Sequence, residues 1–227
     1  MDVGTGANTT ALVYPAEQPR IGAALILGHG AGAGQDSSFM TDFARALAAL
    51  GADIITFNFL YIEQKRRLPD RAPALESCYW TVIETVRDRV ESARHALFIG
   101  GESMGGRIAT QVAAADTDLP VAGLVLLGYP LHPPGRPERL RDAHLPAVAR
   151  PMLFVQGSRD GFGTPDELAP IFGRITPPPT MHEAVGGDHS FKLAGRDLAR
   201  QAAMYEDIQR AIARWMSLTV PNRAGAP

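Results

Sequence analysis

The sequence lacks the features that mark several classes of protein. Its 227 residues contain one cysteine, Cys78, so no internal disulfide can form, which is typical of a reducing compartment. No apolar run approaches the length of about 18 residues that a transmembrane helix needs. The N-terminus, MDVGTGANTT, has no basic segment followed by an apolar one, as a secretory leader would have. We therefore expect a cytoplasmic protein.

The sequence also lacks an excess of charge of either sign. The chain has 22 Lys and Arg against 24 Asp and Glu, a net charge of −2, with no long block of either sign. Binding to nucleic acid or to a membrane surface is therefore not expected, and a small molecule is the predicted partner. With 45% hydrophobic residues, the length suits a single domain over 1–227, with a core at about 10–217 and a frayed tail at 218–227.

Short apolar runs recur along the chain. Strands buried on both faces of a parallel sheet are continuously apolar rather than alternating. The clear runs are 23–27 (AALIL), 53–57 (DIITF), 96–99 (ALFI), 121–127 (VAGLVLL) and 152–155 (MLFV). Weaker strands are predicted at 180–185 and, as an N-terminal edge, at 11–14.

Amphipathic helices are predicted between these runs and after the last one. Their apolar stripes are Met40, Phe43, Leu47 and Leu50, then Leu75, Tyr79, Val82, Val86 and Val90, and finally Leu198, Ala202, Tyr205, Ile208, Ile212 and Trp215. Strands that alternate with helices predict an α/β fold with a doubly wound, mostly parallel sheet and no large cap domain.

The segment most indicative of chemistry follows the run ALFI. Gly101-Glu102-Ser103-Met104-Gly105 fits the pattern G-x-S-x-G, and the helix-forming stretch RIATQVAAA comes shortly after it. A strand, a sharp turn and a helix make the nucleophile elbow of the α/β-hydrolase fold, where the serine stands at the helix N-terminus. We predict Ser103 as a nucleophile, with an ordinary Gly/Ser turn as the alternative.

A serine nucleophile needs a base, and the base needs an orienting acid. In this fold they follow the serine in the order Asp or Glu, then His. Asp160 follows the run MLFV within QGSRDG, and His189 follows 180–185 within GGDHSF. Alone, either residue could be structural, as Asp-Gly pairs usually are. Together they follow different strands in the required order, which favours a triad of Ser103, Asp160 and His189.

A glycine-rich loop, HGAGAG at 29–34, follows the run AALIL. One N–H of such a loop and the N–H after the nucleophile form the oxyanion hole, so we predict Ala31 and Met104 as donors. A dinucleotide-binding fingerprint is the alternative, but it needs a helix that starts inside the loop and an acidic residue after the next strand. Here the helix is predicted near Ser37 or Ser38, and the next strand ends in Phe57-Asn58-Phe59. An oxidoreductase is therefore disfavoured.

The motifs HGAGAG, GESMGG, QGSRDGFG and GGDHSF, with YPLHPPG at 129–135, resemble the small α/β-hydrolases related to dienelactone hydrolase. The resemblance covers residues 20–217, approximately. Dienelactone hydrolases use a cysteine nucleophile, whereas this chain has Ser103. The resemblance therefore implies general ester chemistry rather than dienelactone as the substrate.

These features predict a serine hydrolase that cleaves carboxylic esters of small molecules through an acyl-enzyme, with no cofactor and no metal. Thioester, peptide or peracid chemistry on the same triad is an alternative, as is a non-catalytic binding protein on a hydrolase scaffold. Tyr129 and His132 follow the end of a strand and are candidate substrate contacts. The proline-rich stretch 128–150 has little apolar surface from which to build a lid, so we expect a shallow pocket.

Overall fold

The computed structural model describes residue 1, residues 8–17 and residues 20–220. They form one seven-stranded sheet with helices on both faces. The strands are β1 (Ala11–Tyr14), β2 (Ala24–Gly28), β3 (Asp53–Phe57), β4 (Leu97–Glu102), β5 (Gly123–Leu127), β6 (Met152–Gly157) and β7 (Thr180–Ala184).

The strands lie in the order β1-β3-β2-β4-β5-β6-β7. β1 pairs antiparallel with β3, and the remaining pairs are parallel. The central strands β2, β5 and β6 are buried along their whole length, whereas the edge strands β1 and β7 are partly exposed. Both faces of the centre are covered, which is why these strands are continuously apolar.

The helices pack in two layers, one on each face of the sheet. They are α1 (Ser38–Ala49), α2 (Leu60–Glu63), α3 (Ala72–Arg89), α4 (Glu91–His95), α5 (Met104–Ala115), α6 (Pro165–Phe172) and α7 (Leu198–Thr219). α3 and α5 pack in the core on one face, and α1 and α7 in the core on the other. Along β4, Leu97 and Ile99 point into the first core and Phe98 into the second, as strand alternation requires.

The predicted α/β fold class with a doubly wound, mostly parallel sheet is confirmed, and the described residues contain no separate cap domain. Each predicted strand is present, with ends that differ by a few residues. The first predicted helix begins at Ser38, where the Ser37 side chain accepts a hydrogen bond from the Met40 N–H.

Two segments need further comment. α7 continues to Thr219, beyond the predicted start of the tail at 218, and residues 221–227 lie outside the described residues. The stretch 128–150 is described throughout and contains one short 3-10 turn, Leu145–Ala147, but no α-helix. In the described part of the chain, no helix combines the length and the apolar character needed to cross a membrane.

Candidate active site

Ser103 lies on a sharp turn between β4 and α5. β4 ends at Glu102, α5 begins at Met104, and Ser103 between them has φ 48° and ψ −111°. This left-handed backbone is strained for a residue with a side chain, and such strain is concentrated at functional sites. The turn has the strand–turn–helix form of a nucleophile elbow.

Two glycines allow this turn to sit tightly against the end of β2. A Cβ on either Gly101 or Gly105 would lie 2.2 Å from the carbonyl oxygen of Gly28. Real side chains do not tolerate such a distance, so both positions require glycine. The pattern G-x-S-x-G therefore has a steric cause here, which fixes the elbow against the neighbouring strand.

The predicted triad residues meet at the carboxyl edge of the sheet. His189, on the loop after β7, places its Nε2 atom 2.8 Å from Ser103 Oγ and its Nδ1 atom 2.8 Å from Asp160 Oδ2. The Asp160 side chain is fully buried, whereas that of His189 is 20% exposed. An ionised carboxylate can only accept, so Nδ1 carries the proton and Nε2 is free to accept the serine hydroxyl proton. This is the arrangement a general base needs.

Asp160 is held by more than the histidine. Its Oδ1 atom accepts the backbone N–H of Phe162 at 2.8 Å, and its Oδ2 atom also accepts the side-chain amide of Gln156 at 2.7 Å. Gln156 lies at the end of β6, is fully buried, and accepts the backbone N–H of Tyr129 at 2.9 Å. Gln156 was not predicted as a site residue, although this polar residue directly follows the apolar run MLFV.

Two neighbours of His189 shape its surroundings. The Phe162 ring stacks on the imidazole, with ring centroids 4.1 Å apart and an interplanar angle of 27°. Asp188, the adjacent acid, makes no hydrogen bond to the imidazole. Its Oδ1 atom accepts the backbone N–H groups of Ser190 at 2.9 Å and Lys192 at 2.8 Å. Asp188 therefore fixes the loop, and Asp160 contacts the histidine.

The predicted oxyanion donors lie beside the nucleophile. Ala31 and Met104 line the same pocket as Ser103 and His189. Among the hydrogen bonds of the described loops and caps, none uses the N–H of Ala31 or of Met104 as donor. Both amides are therefore available to an oxygen bound in the pocket.

His29 fixes the orientation of the loop that carries Ala31. Its Nε2 atom accepts the backbone N–H of Phe59 at 3.1 Å, so its proton is on Nδ1, which lies 2.8 Å from the carbonyl oxygen of Gly30. That carbonyl and the Ala31 N–H belong to one rigid peptide plane, so holding the carbonyl also aims the N–H. Burial lowers the pKa of His29, which keeps the ring neutral in this role.

The pocket around Ser103 has a volume of about 470 Å³ and contains charged groups of both signs. Glu102 lies beside Gly30 of the glycine-rich loop 29–34, the oxyanion loop. Burial raises the pKa of its carboxyl group, and the charge of His189 partly opposes this. Arg107 and Arg141 also line the pocket. None of these three residues was predicted from the sequence to contact substrate.

The two candidate substrate contacts lie elsewhere, which corrects that expectation. Tyr129 is fully buried, and its hydroxyl donates to the carbonyl oxygen of Arg141 at 2.7 Å. The ring of His132 is buried, with Nδ1 2.9 Å from the carbonyl oxygen of Pro133 and Nε2 3.3 Å from Glu167 Oε1. Neither residue is among those that line the pocket. The chain turns inward after β5, so both side chains pack under the surface.

Comparison with known proteins gives the same fold. Residues 22–217 match the family model described as an alpha/beta hydrolase domain. Among solved structures, the chain resembles an alpha-beta serine hydrolase homologue from Coxiella burnetii, with 20% identity, a TM-score of 0.73 and coverage of 92% of this chain and 94% of that chain.

Two other solved structures have similar scores. A serine hydrolase without a lid from Xanthomonas campestris is 21% identical, with a TM-score of 0.71 and coverage of 96% of this chain and 91% of that chain. A dienelactone hydrolase from Anabaena variabilis is 16% identical, with a TM-score of 0.72 and coverage of 97% and 95%. At these identities the likeness shows the fold alone.

Proposed function

The chain belongs to the alpha/beta hydrolase domain family, and from the geometry of its site we propose that it is a serine esterase acting on small carboxylic esters. One observation carries the proposal. Ser103 Oγ, the His189 imidazole and the buried Asp160 carboxylate form a continuous hydrogen-bonded chain, with 2.8 Å at each step. The serine end of this hydrogen-bonded series lies in a pocket, next to the backbone amides of Ala31 and Met104, which have no acceptor within the protein.

The proposed reaction has two steps. His189 Nε2 takes the hydroxyl proton as Ser103 Oγ attacks the ester carbonyl, and Asp160 stabilises the imidazolium that forms. The amides of Ala31 and Met104 bind the oxyanion, and the imidazolium gives its proton to the departing alcohol. Water, deprotonated by His189, then attacks the acyl-enzyme, and the imidazolium returns this proton to Ser103 Oγ as the acyl bond breaks. The acid is released and the free enzyme is restored.

The pocket supports a small substrate. Its volume of about 470 Å³ lies in the lower part of the range of roughly 300–1,000 Å³ for small-molecule sites. The stretch 128–150 contributes no helix that could cover it, and Pro69 and Asp70 border it from the segment before α3. The cytoplasmic location stays a prediction.

A fluorophosphonate probe read by mass spectrometry tests the nucleophile directly. We expect the probe to label the peptide that contains Ser103 and Ser103→Ala to abolish both labelling and ester hydrolysis. Loss of a triad serine costs on the order of 10⁶ in turnover in a serine protease.

Ser190→Ala is the matched control, because Ser190 lines the same pocket and no histidine hydrogen bond reaches it. It should keep the label. Unchanged labelling in Ser103→Ala would contradict the proposal. A properly folded parent protein that neither takes the label nor cleaves any ester would instead favour the non-catalytic binding protein.

A further inference from the structure

Two arginines converge on the pocket from different parts of the chain. Arg107 lies on α5, one helical turn after Ser103, and Arg141 lies in the stretch after β5. Both side chains are half-buried, and both line the pocket that contains Ser103 and His189. The fold brings two positive charges into the pocket of the candidate nucleophile.

Neither charge has an ionic partner within the protein. Among the described residues, no carboxylate oxygen lies within 4.0 Å of either guanidinium group. The nearest acid in sequence to Arg141 is Asp142, and it pairs with Arg174. The side chain of Arg141 makes one long hydrogen bond, 3.4 Å from Nη1 to the carbonyl oxygen of Pro130. Most of the guanidinium donors therefore remain available.

The protein fixes the backbone of Arg141 in place. Its backbone N–H donates to the carbonyl oxygen of Leu131 at 2.7 Å, and its carbonyl oxygen accepts the hydroxyl of buried Tyr129 at 2.7 Å. A fixed backbone limits the positions from which the guanidinium group can reach the pocket, and this favours a preorganised binding group.

The electrostatics of this corner favour an added anion. Burial lowers the pKa of Arg141, and the charge of Arg107 lowers it further. The charge of Tyr129 opposes these two effects in part, and no carboxylate offsets them. Burial, and then the charge of Arg107, also lower the pKa of nearby His144, and the charge of Asp142 opposes this in part. Two like charges that are partly desolvated repel each other, and an anion between them would remove that cost. Guanidinium groups also match carboxylate oxygens in shape, with two parallel donors.

The acidic residues of the pocket are engaged elsewhere. Asp70 pairs with Arg66 at 2.6 Å. The carboxylate of Glu102 interacts with the backbone N–H of Gly30 and lies near His189 and Lys192. The pocket therefore has an acidic side at the oxyanion loop and a basic side at the two arginines.

We infer that Arg107 and Arg141 bind a carboxylate on the substrate, so that the preferred ester is a half-ester of a short dicarboxylic acid. The inference rests on the proposed function, because it places this carboxylate beside the ester that Ser103 attacks. The second carboxylate takes no part in the bond changes and serves only to orient the acyl group.

Matched pairs of esters test this inference. Monoethyl glutarate and ethyl pentanoate have acyl chains of equal length, and they differ in the terminal carboxylate. We expect kcat/KM, measured by pH-stat, to be about tenfold or more higher for monoethyl glutarate, the gain typical of a charged hydrogen bond. A carboxyphenyl acetate, compared with phenyl acetate, places the charge on the alcohol instead. A higher kcat/KM for the carboxyphenyl acetate than for phenyl acetate would overturn the assignment of the bound carboxylate to the acyl side of the ester.

Four variants locate the effect. Arg107→Met and Arg141→Met should each reduce the ratio of the two kcat/KM values about tenfold. Arg139→Met is the control: Arg139 belongs to the same stretch but is 63% exposed, lies 3.8 Å from Glu138 and does not line the pocket. It should keep the parent ratio. Arg107→Lys keeps the charge without the forked donors, so we expect an intermediate ratio.

The outcomes separate this inference from the proposed function. Hydrolysis that needs Ser103 but shows no preference for monoethyl glutarate would overturn the anion site and leave the esterase intact. A preference for monoethyl glutarate that is unchanged in both methionine variants would likewise overturn the anion site and leave the esterase intact. Absence of labelling at Ser103 and of turnover with every ester would overturn both proposals.

Discussion

Replacement of Asp160 by asparagine is the sharpest test of the site, because the structure fixes what the new amide would meet. Asp160 Oδ2 accepts from His189 Nδ1 and from the Gln156 amide, whereas Oδ1 accepts from the Phe162 N–H alone. Gln156 cannot easily turn round, because its oxygen accepts the N–H of Tyr129. The asparagine oxygen should therefore take the Oδ2 position, where it can accept from both His189 and Gln156. Its NH₂ group should then face Phe162.

The expected loss of activity follows from this orientation. The proton stays on His189 Nδ1, but the imidazolium loses its negative partner. For charge centres about 4 Å apart and an effective dielectric of about 20, the lost attraction is about 4 kcal/mol, or about 10³ in rate. With the opposite orientation the tautomer would be wrong as well, and the loss would approach about 10⁴, as in a serine protease.

The assay is kcat/KM for p-nitrophenyl acetate, together with a denaturant titration. The NH₂ group facing the Phe162 N–H leaves a buried donor without an acceptor, which should lower the free energy of unfolding by about 1–3 kcal/mol. Asp188→Asn is the control, because Asp188 accepts only backbone N–H groups of its own loop. A loss below about tenfold for Asp160→Asn, or an equal loss for Asp188→Asn, would refute the assignment of the acid.

Three further predictions concern the surroundings of the triad. Gln156→Leu should lower the free energy of unfolding by about 2 kcal/mol, because the buried Tyr129 N–H loses its acceptor and Asp160 loses a donor; unchanged denaturant stability would contradict this. For neutral p-nitrophenyl esters, kcat/KM should stop rising at about two to four acyl carbons, because further methylenes, each worth up to about 0.8 kcal/mol when buried, extend into water. A steady gain to about ten carbons would instead show a deep channel. Burial, and then the charge of Arg107, lower the pKa of His144 from 6.5 to about 4, so the unfolded chain binds the extra proton between these values and stability falls as the pH is lowered through them. His144→Asn should lose less stability over that range than the parent does, and equal losses would refute this source of acid sensitivity.

Local patterns were enough to predict the fold and the three residues of the candidate triad. The continuous apolar runs indicated buried parallel strands, and the glycines around Ser103 indicated a turn too tight for side chains. Asp160 and His189 could be predicted because each follows a strand closely. The carboxyl ends of parallel strands lie at one edge of a sheet, so strand order alone brings such loops together.

The sequence did not determine which side chains support and line the pocket. Tyr129 was predicted to contact substrate because it follows β5, but it packs beneath the pocket and supports Arg141 instead. The roles of Gln156 and Arg107 could not be predicted from the sequence, because the residues around them in the fold come from other segments.

Strand order fixes where a loop emerges to within a few residues. The direction of a side chain beyond the strand end depends on how the loop packs against elements distant in sequence. The convergence of Arg107 and Arg141 on the pocket of Ser103 was therefore decided by the tertiary structure, through the packing of the stretch after β5 against α5. Any preference for substrate charge depends on that packing, whereas the order of the triad residues was already present in the sequence.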